Sequence, residues 1–138
     1  MGLFGKPKKK VLFACIENAG RSQMAEGFFR KYAPKGYEAI SAGTKPTPEV
    51  NPIAVEAMKE IGIDLSKQEP KMLNNEIISD STLSVNMGCM DKTECPVVFI
   101  KNSVDWNIED PKGKPIEKVR EIRDHIELKV RQLCKTLE

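Results

Sequence analysis

The chain has 138 residues, which is enough for one domain with its own hydrophobic core. Hydrophobic residues make up 40% and charged residues 30%, and the net charge of +2 is too small to indicate binding to nucleic acid or to a membrane surface. No apolar run approaches the ~18 residues of a transmembrane helix, and the first ten residues do not resemble a secretory signal, so we expect a cytoplasmic protein.

A short basic segment precedes the part of the chain that is expected to fold. We interpret residues 1–9, which include most of the run KPKKK, as a solvated arm and residues 10–138 as a single domain. The apolar run KVLFAC (10–15) is typical of a buried parallel strand. A helix is predicted from Ser22, as its N-cap, to Tyr32.

The rest of the chain continues the alternation of strands and helices. A helix is expected from Pro52 to Ile61, with Gly62 as its C-cap. Apolar residues spaced three and four apart predict a long amphipathic helix from Pro115 onward. Three further strands and one short helix are predicted: strands at 37–44, 81–87 and 96–100, and a helix within residues 68–80 that has Pro70 near its first turn.

This alternation predicts a doubly wound α/β fold, a three-layer sandwich with a sheet of four parallel strands between helices. In such folds, ligands bind beyond the carboxyl ends of the strands. Cys15 ends the first predicted strand, so it lies where this fold places chemistry.

The loop CIENAGR joins the first strand to the first helix. A tight loop here turns backbone N–H groups inward, and the helix N-terminus adds partial positive charge, so the loop is expected to bind an oxyanion. Asn18 tolerates a left-handed backbone and can brace the loop, and Gly20 lets it curl. The predicted oxyanion-binding residues are Cys15, Ile16, Glu17, Asn18, Ala19, Gly20 and Arg21.

Three side chains at this loop suggest catalysis as well as binding. The positive field favours the thiolate of Cys15, and Ser22 can hydrogen-bond its sulfur. Arg21 can hold two oxyanion oxygens in a bidentate manner, which a lysine cannot do. The alternative is that Cys15 is an inert buried thiol at the end of a strand.

Several motifs together resemble the low-molecular-weight protein tyrosine phosphatase superfamily. They are VLFACIENAGRSQMAEGFF, SAGT, NPIAVEAMKEIGIDLS and DWNIEDPKGKP, in this order from about residue 10 onward. Within the superfamily, the chain is most similar to the arsenate reductase branch, of the thioredoxin-coupled type. The resemblance implies the phosphatase I fold, with Cys15 as nucleophile, Arg21 as oxyanion clamp and Asp110 as general acid.

Asp110 also has a chemical rationale of its own. An oxygen that leaves a tetrahedral oxyanion must be protonated, and a positioned carboxyl group can supply that proton. Asp110 precedes Pro111 in the loop before the last helix, on the rim where Cys15 is expected. Asp105 and Glu109 are nearby alternatives, and an aspartate that only favours a turn before proline remains open.

The chain has four cysteines, at positions 15, 89, 95 and 134. A reductase must supply two electrons, so it needs thiols beyond the nucleophile. The resemblance implies that Cys89 attacks the thiol–arsenic adduct, that arsenite leaves, and that Cys95 resolves the first disulfide. An external thiol such as thioredoxin would then reduce the Cys89–Cys95 pair. Inert buried thiols or a metal pair are the alternatives for these two cysteines, and Cys134 is expected to be a packing residue.

These features lead to one favoured function and two alternatives. The favoured function is reduction of arsenate, with arsenate or a phosphate-like oxyanion as ligand and no tightly bound cofactor. The first alternative is a phosphatase that hydrolyses phosphotyrosine or small phosphoesters through a phosphoenzyme at Cys15. The second is a thiol-based arsenic-binding or redox-sensing protein. The absence of an aromatic residue just after Asp110 and Pro111 favours a small inorganic oxyanion over a phenyl ring.

A monovalent cation near the loop is a further expectation. Some relatives in the superfamily bind potassium there. Four residues of this chain match the general pattern: Asn18, Glu26, Ser41 and Asp64. Packing and helix capping explain the same four residues equally well.

Overall fold

A computed structural model describes residues 8–87 and 103–138. The strands in these ranges are β1 (Lys9–Cys15), β2 (Tyr37–Gly43), β3 (Ser81–Asn86) and β4 (Ser103–Asp105). They form one parallel sheet in the order β2-β1-β3-β4, which confirms the predicted α/β fold. The predicted strand at 96–100 lies outside the described residues.

The helices in the same ranges are α1 (Arg21–Tyr32), α2 (Pro52–Lys59), α3 (Asn75–Ser79) and α4 (Ile116–Thr136). Among the residues described, no helix is both long enough and apolar enough to cross a membrane. The amphipathic helix predicted from Pro115 is α4, and Pro115 itself is its N-cap.

The central strand β1 explains why the sheet lies between two layers of helices. Its residues from Val11 to Ala14 are completely buried, as expected of a parallel strand covered on both faces. Phe13 faces the main core, which includes residues of α1, α2 and α4. Leu12 faces a smaller core that includes Ile78 of α3. Because successive side chains of a strand point to opposite faces, β1 joins both cores.

The carboxyl end of β1 meets the ends of both neighbouring strands. In the sheet register, Cys15 lies beside Gly43 of β2, and Ala14 lies beside Asn86 of β3. A Cβ atom at Gly43 would lie only 2.4 Å from the carbonyl oxygen of Ile16. Glycine at this position therefore allows the loop that follows Cys15 to pack against the end of β2.

The structure corrects three of the predicted helix boundaries. The N-cap of α1 is Gly20 rather than Ser22, and no side chain caps that end. Helix α2 ends at Lys59, and its C-cap is Glu60, whereas Gly62 takes a positive φ of 83° in the turn that follows. Glycine suits that left-handed turn, so Gly62 does mark the end of the helix, but the C-cap itself lies two residues earlier than predicted.

The short helix also begins later than predicted. Its N-cap is Asn74, whose Oδ1 accepts a hydrogen bond from the Ile77 N–H at 2.8 Å. Pro70 lies before this helix, in a segment that extends the edge of the sheet. There the N–H of Gly43 donates to the Lys71 carbonyl, and the N–H of Leu73 donates to the Gly43 carbonyl, each at 2.8 Å. Pairing with β2 therefore takes the place of an early helical turn.

Two neighbouring residues of α4 provide a test of this packing. Ile126 is completely buried, whereas 55% of Leu128 is exposed. We expect Ile126→Ala to lower the free energy of unfolding by about 2–5 kcal/mol, because it leaves a cavity in the main core. The matched change Leu128→Ala should stay within about 0.5 kcal/mol of the wild type. Urea unfolding measures both values, and equal losses would contradict the assigned helix face.

Candidate active site

Cys15 lies at the point where β1 ends and the loop to α1 begins. The thiol is almost completely buried, and its sulfur lies 2.8 Å from the hydroxyl oxygen of Ser22. The N–H of Asn18 points back at the same sulfur, at 3.2 Å. Two hydrogen-bond donors of the loop and the first turn of the helix thus surround one sulfur atom.

The hydroxyl of Ser22 is oriented by a second contact. The side-chain amide of Asn18 donates to the Ser22 oxygen at 2.8 Å. Because the oxygen accepts from Asn18, its own proton is available to the sulfur of Cys15. A hydrogen bond to an ionised sulfur stabilises the thiolate. This contact explains why Ser22 does not cap the helix.

Asn18 holds the curve of the loop in place. It takes a φ of 52°, the left-handed conformation expected for an asparagine at this position. Its side-chain oxygen accepts from the Lys71 N–H at 2.8 Å and from the Gln23 amide at 3.1 Å. The Gln23 amide also donates to the Asn18 carbonyl, at 2.9 Å. The loop therefore keeps its shape through the contacts of Asn18 with Gln23 and Lys71.

Arg21 is the first residue of α1, and it connects the oxyanion loop to the loop before α4. One terminal nitrogen donates to the carbonyl of Ile108 at 2.6 Å. The other lies 3.5 Å from a carboxylate oxygen of Asp110. The guanidinium group is almost completely buried, so these two contacts set its direction.

Asp110 uses its two carboxylate oxygens differently. One accepts from the Lys112 N–H at 3.0 Å, which closes the turn after Asp110, and the other faces Arg21. The side chain is 57% exposed, so its carboxyl group is accessible to solvent. Of the two alternatives, Glu109 pairs with Lys114 and Lys118, and Asp105 is an exposed residue at the end of β4.

Six of the seven predicted oxyanion-binding residues, all except Asn18, line a cavity of about 150 Å³ together with Asp110 and Lys112. Its walls bring together both ends of the chain segment from Cys15 to Arg21 and the loop that carries Asp110. The lining residues are Cys15, Ile16, Glu17, Ala19, Gly20, Arg21, Asp110 and Lys112. A thiol, a guanidinium group and a carboxyl group thus share one small cavity at the carboxyl edge of the sheet.

The other predicted thiols divide into two groups. Cys89 and Cys95 lie outside the described residues, so their roles stay predictions. Cys134 is buried in the main core, which agrees with its predicted packing role. Burial, with a smaller effect of the Glu138 charge, raises the pKa of the Cys134 thiol.

The residues named for a monovalent cation already have partners from the protein itself. The carboxylate of Glu26 is buried, accepts from the Ser41 hydroxyl at 2.7 Å and pairs with Arg30. Asp64, by contrast, is exposed and accepts from the Ser66 N–H at 2.8 Å. No cluster of three or more acidic, histidine or cysteine ligands occurs in residues 8–87 and 103–138. The monovalent cation therefore stays a prediction.

The sequence reasoning missed three contributors to this site. They are Gln23, which braces Asn18, the carbonyl of Ile108, which holds Arg21, and the ion pair between Lys112 and Glu17 at 2.8 Å. A buried glutamine so close to the loop was a usable signal, because a buried amide needs hydrogen-bond partners. The other two depend on contacts over about ninety residues of sequence, and no local pattern indicates them.

The hydrogen bond between Ser22 and Cys15 leads to a measurable prediction. Ser22→Ala should slow alkylation of Cys15 by iodoacetamide at neutral pH on the order of tenfold, because a hydrogen bond to a charged group contributes about 1.5–3 kcal/mol. Peptide-resolved mass spectrometry follows Cys15 separately from the other thiols. As a control, Ser81→Ala removes a hydroxyl that bonds the Ile77 carbonyl far from this cavity and should leave the rate unchanged. Equal rates in all three proteins would contradict a role for Ser22.

Comparisons with known proteins agree with this geometry. A family model for the low molecular weight phosphotyrosine protein phosphatases matches residues 10–138. An arsenate reductase of Staphylococcus aureus (strain Newman) is 37% identical over 124 residues, which cover 89% of this chain and 94% of that protein.

Two solved structures are similar in fold and in sequence. An arsenate reductase in its phosphate-binding state has a TM-score of 0.84 and 32% identity, covering 94% of this chain and 99% of that chain. A thioredoxin-dependent arsenate reductase of Corynebacterium glutamicum has a TM-score of 0.78 and 36% identity, covering 98% of this chain and 64% of that chain. Since the family model spans nearly the whole chain, the protein belongs to the low molecular weight phosphotyrosine protein phosphatase family.

Proposed function

We propose that this protein is an arsenate reductase. The observation that carries the proposal is the buried Cys15 thiol, which shares a cavity of about 150 Å³ with Arg21 and Asp110. A cavity of that size suits a small tetrahedral oxyanion. Arsenate reductases that match this chain over nearly their whole length support arsenate as the substrate.

The first step forms a bond between sulfur and arsenic. The Cys15 thiolate attacks hydrogen arsenate, and the hydroxyl group of hydrogen arsenate leaves as water after it takes a proton from Asp110. Arg21 and the backbone N–H groups of the loop hold the remaining oxygens. The short contact of Ser22 with the sulfur supports this step, because it favours the nucleophilic form of the thiol.

The next two steps move the electrons. The Cys89 thiolate attacks the sulfur of Cys15 and forms a Cys15–Cys89 disulfide. The electron pair of the sulfur–arsenic bond passes to arsenic, which leaves as arsenite. The Cys95 thiolate then attacks the sulfur of Cys89. Cys15 returns to its thiolate form, and a Cys89–Cys95 disulfide remains. The two thiols thus supply the two electrons that the reduction requires.

An external dithiol of the thioredoxin type would restore the enzyme by thiol–disulfide exchange. The similarity to the thioredoxin-dependent enzyme of Corynebacterium glutamicum supports this donor. A cycle that depends on reduced cysteines suits the reducing cytoplasm, which is where we propose that the protein works. The cycle needs no tightly bound cofactor.

A phosphatase is the second candidate, because the family to which the chain belongs is a phosphatase family. Cys15, Arg21 and Asp110 could serve a phosphoenzyme as well as an arsenic adduct. The difference lies in the later thiols. A phosphatase ends its cycle by hydrolysis and does not use Cys89 or Cys95.

The thiols therefore separate the two functions in one experiment. The fully reduced protein is mixed with arsenate without any external thiol, and its cysteines are mapped by mass spectrometry. We expect a loss of two hydrogens at a Cys89–Cys95 disulfide, with one arsenite released per chain. Free thiols throughout, together with hydrolysis of an aryl phosphate through Cys15, would mean that the protein is a phosphatase.

Single serine variants extend the same experiment to turnover with thioredoxin. Cys15→Ser, Cys89→Ser and Cys95→Ser should each abolish steady-state arsenite formation, because each thiol takes part in a different step. Cys134→Ala is the matched control, since Cys134 is buried in the core on α4, and turnover should persist. Full turnover in Cys89→Ser or Cys95→Ser would contradict the proposed electron path.

The assignment of Asp110 as general acid has its own test. Asp110→Asn should lower kcat/KM for arsenate by about 10²–10⁴-fold, because the leaving oxygen loses its proton donor. The matched control is Glu109→Gln, which removes the neighbouring carboxylate that pairs with Lys114 and Lys118. It should stay within about twofold of the wild type, the usual tolerance for an exposed ion pair. The reverse order of effects would make Glu109 the acid.

A further inference from the structure

The catalytic cavity shares part of its wall with a larger cleft of about 510 Å³. Residues 47–52 and the turn from Pro111 to Gly113 line that cleft. Five residues line both spaces: Glu17, Ala19, Gly20, Asp110 and Lys112. Because the Lys112 ammonium lies 2.8 Å from a carboxylate oxygen of Glu17, an ion pair stands at the border between the catalytic cavity and the cleft.

This ion pair joins two separate parts of the site. Glu17 belongs to the oxyanion loop, and Lys112 belongs to the turn that Asp110 closes. The hydrogen bond from Lys112 to Glu17, and the negative charge of Glu17, raise the pKa of the Lys112 ammonium. The two side chains are 34% and 67% exposed, so the pair contributes little to stability. We therefore consider the ion pair for its place between the cavity and the cleft, and not for its contribution to stability.

The pair also balances charge beside the proposed substrate. A carboxylate in a loop that binds an anion repels that anion, and a neighbouring ammonium offsets the repulsion. Glu17 alone would weaken the site, and Lys112 alone would strengthen it. Together they leave the charge almost unchanged, and both lie where the two spaces adjoin.

We propose that the Glu17–Lys112 ion pair selects inorganic oxyanions over phosphate esters by closing the border between the catalytic cavity and the cleft. The inference rests on the proposed function, which makes an inorganic oxyanion the substrate. The catalytic cavity of about 150 Å³ is smaller than the ~300–1,000 Å³ typical of sites for larger organic ligands, and the cleft lies within that range. The adjoining cleft therefore has room for the organic group of an ester, which would lie beside the ion pair if it extended there.

The charge of each side chain and the access to the cleft have different effects on ligand binding, so single variants can separate the two effects. Lys112→Met leaves the Glu17 charge uncompensated, so it should weaken the binding of every dianion. Glu17→Gln leaves the Lys112 charge free, so it should strengthen the binding of every dianion. Both changes open the border, and both should therefore favour the organic ligand over the inorganic one.

The experiment measures how well two dianions protect Cys15 from iodoacetamide. The probes are inorganic phosphate and phenylphosphonate, whose P–C bond resists hydrolysis, and mass spectrometry follows the peptide that contains Cys15. The proteins are the wild type, Glu17→Gln, Lys112→Met and the double variant. Lys114→Met is the matched control, because Lys114 pairs with Glu109 on the same loop.

For each probe, the concentration that halves the alkylation rate of Cys15 gives a protection constant. We expect the ratio of the constants for phosphate and phenylphosphonate to shift at least fivefold in favour of phenylphosphonate in each single variant. The double variant should shift no further than the larger single shift, because either change alone breaks the pair. Lys114→Met should keep the ratio of the wild type. An unchanged ratio in the single variants, or a double variant whose shift is the product of the two, would overturn the proposal.

The readout separates this inference from the proposed function. Protection of Cys15 requires binding and no turnover. A wild type that binds phosphate but forms no arsenite would contradict the reductase and leave the measured selectivity intact. A wild type that reduces arsenate, with variants that keep its ratio, would contradict only the role of the ion pair. If neither probe protects Cys15 in the wild type, the oxyanion loop itself is wrongly assigned, and the inference is overturned with it.

Discussion

The left-handed turn at Asn18 is the constraint on which the site depends. It places the Asn18 N–H against the Cys15 sulfur and the Asn18 amide against the Ser22 hydroxyl. The loop would lose both contacts if the chain left this conformation. Non-glycine residues accept this backbone region at a cost, and asparagine accepts it more readily than most. Buried hydrogen bonds from Gln23 and Lys71 offset that cost, so the loop has its shape before a ligand arrives.

Preorganisation of this kind suits the chemistry that we propose for this site. Hydrogen-bond donors that are already held in place need no rearrangement when negative charge develops on an oxyanion. Arg21 adds a fixed positive charge, because the carbonyl of Ile108 and the carboxylate of Asp110 hold its guanidinium group. The same two contacts tie the oxyanion loop to the loop that carries the proposed acid. The positions of Arg21 and Asp110 therefore depend on one another.

The sheet register brings these loops together. Gly43 at the end of β2 leaves room for the backbone after Cys15, and the segment around Met72 pairs with Gly43 from the outer side. Lys71 in that segment donates to Asn18, so the edge of the sheet and the oxyanion loop support each other. This arrangement also explains the late start of α3, since residues that pair with a strand cannot join a helix.

Local sequence patterns were enough to predict the elements in which apolar residues form a continuous run or a regular repeat. The apolar run of β1 and the repeat of α4 follow from the burial of one strand on both faces and of one helix on one side. Helix ends were harder to predict from local patterns. Ser22 is an example, because a hydroxyl near the start of a helix can bond either the backbone or another side chain. In this structure the Ser22 hydroxyl contacts the Cys15 sulfur, and this contact depends on where the end of β1 lies relative to the start of α1.

Reading the sequence was enough to predict the α/β class, the place of Cys15 at the end of a strand, and the loop that joins Cys15 to Arg21 at the start of a helix. These depend on residues that are neighbours along the chain, where steric and hydrogen-bonding preferences act directly. Three features follow only from the packed fold: Asp110 rather than Glu109 lines the cavity, the carbonyl of Ile108 holds Arg21, and Lys112 pairs with Glu17. These contacts join residues about ninety positions apart, and the packing of the whole sheet sets their distance.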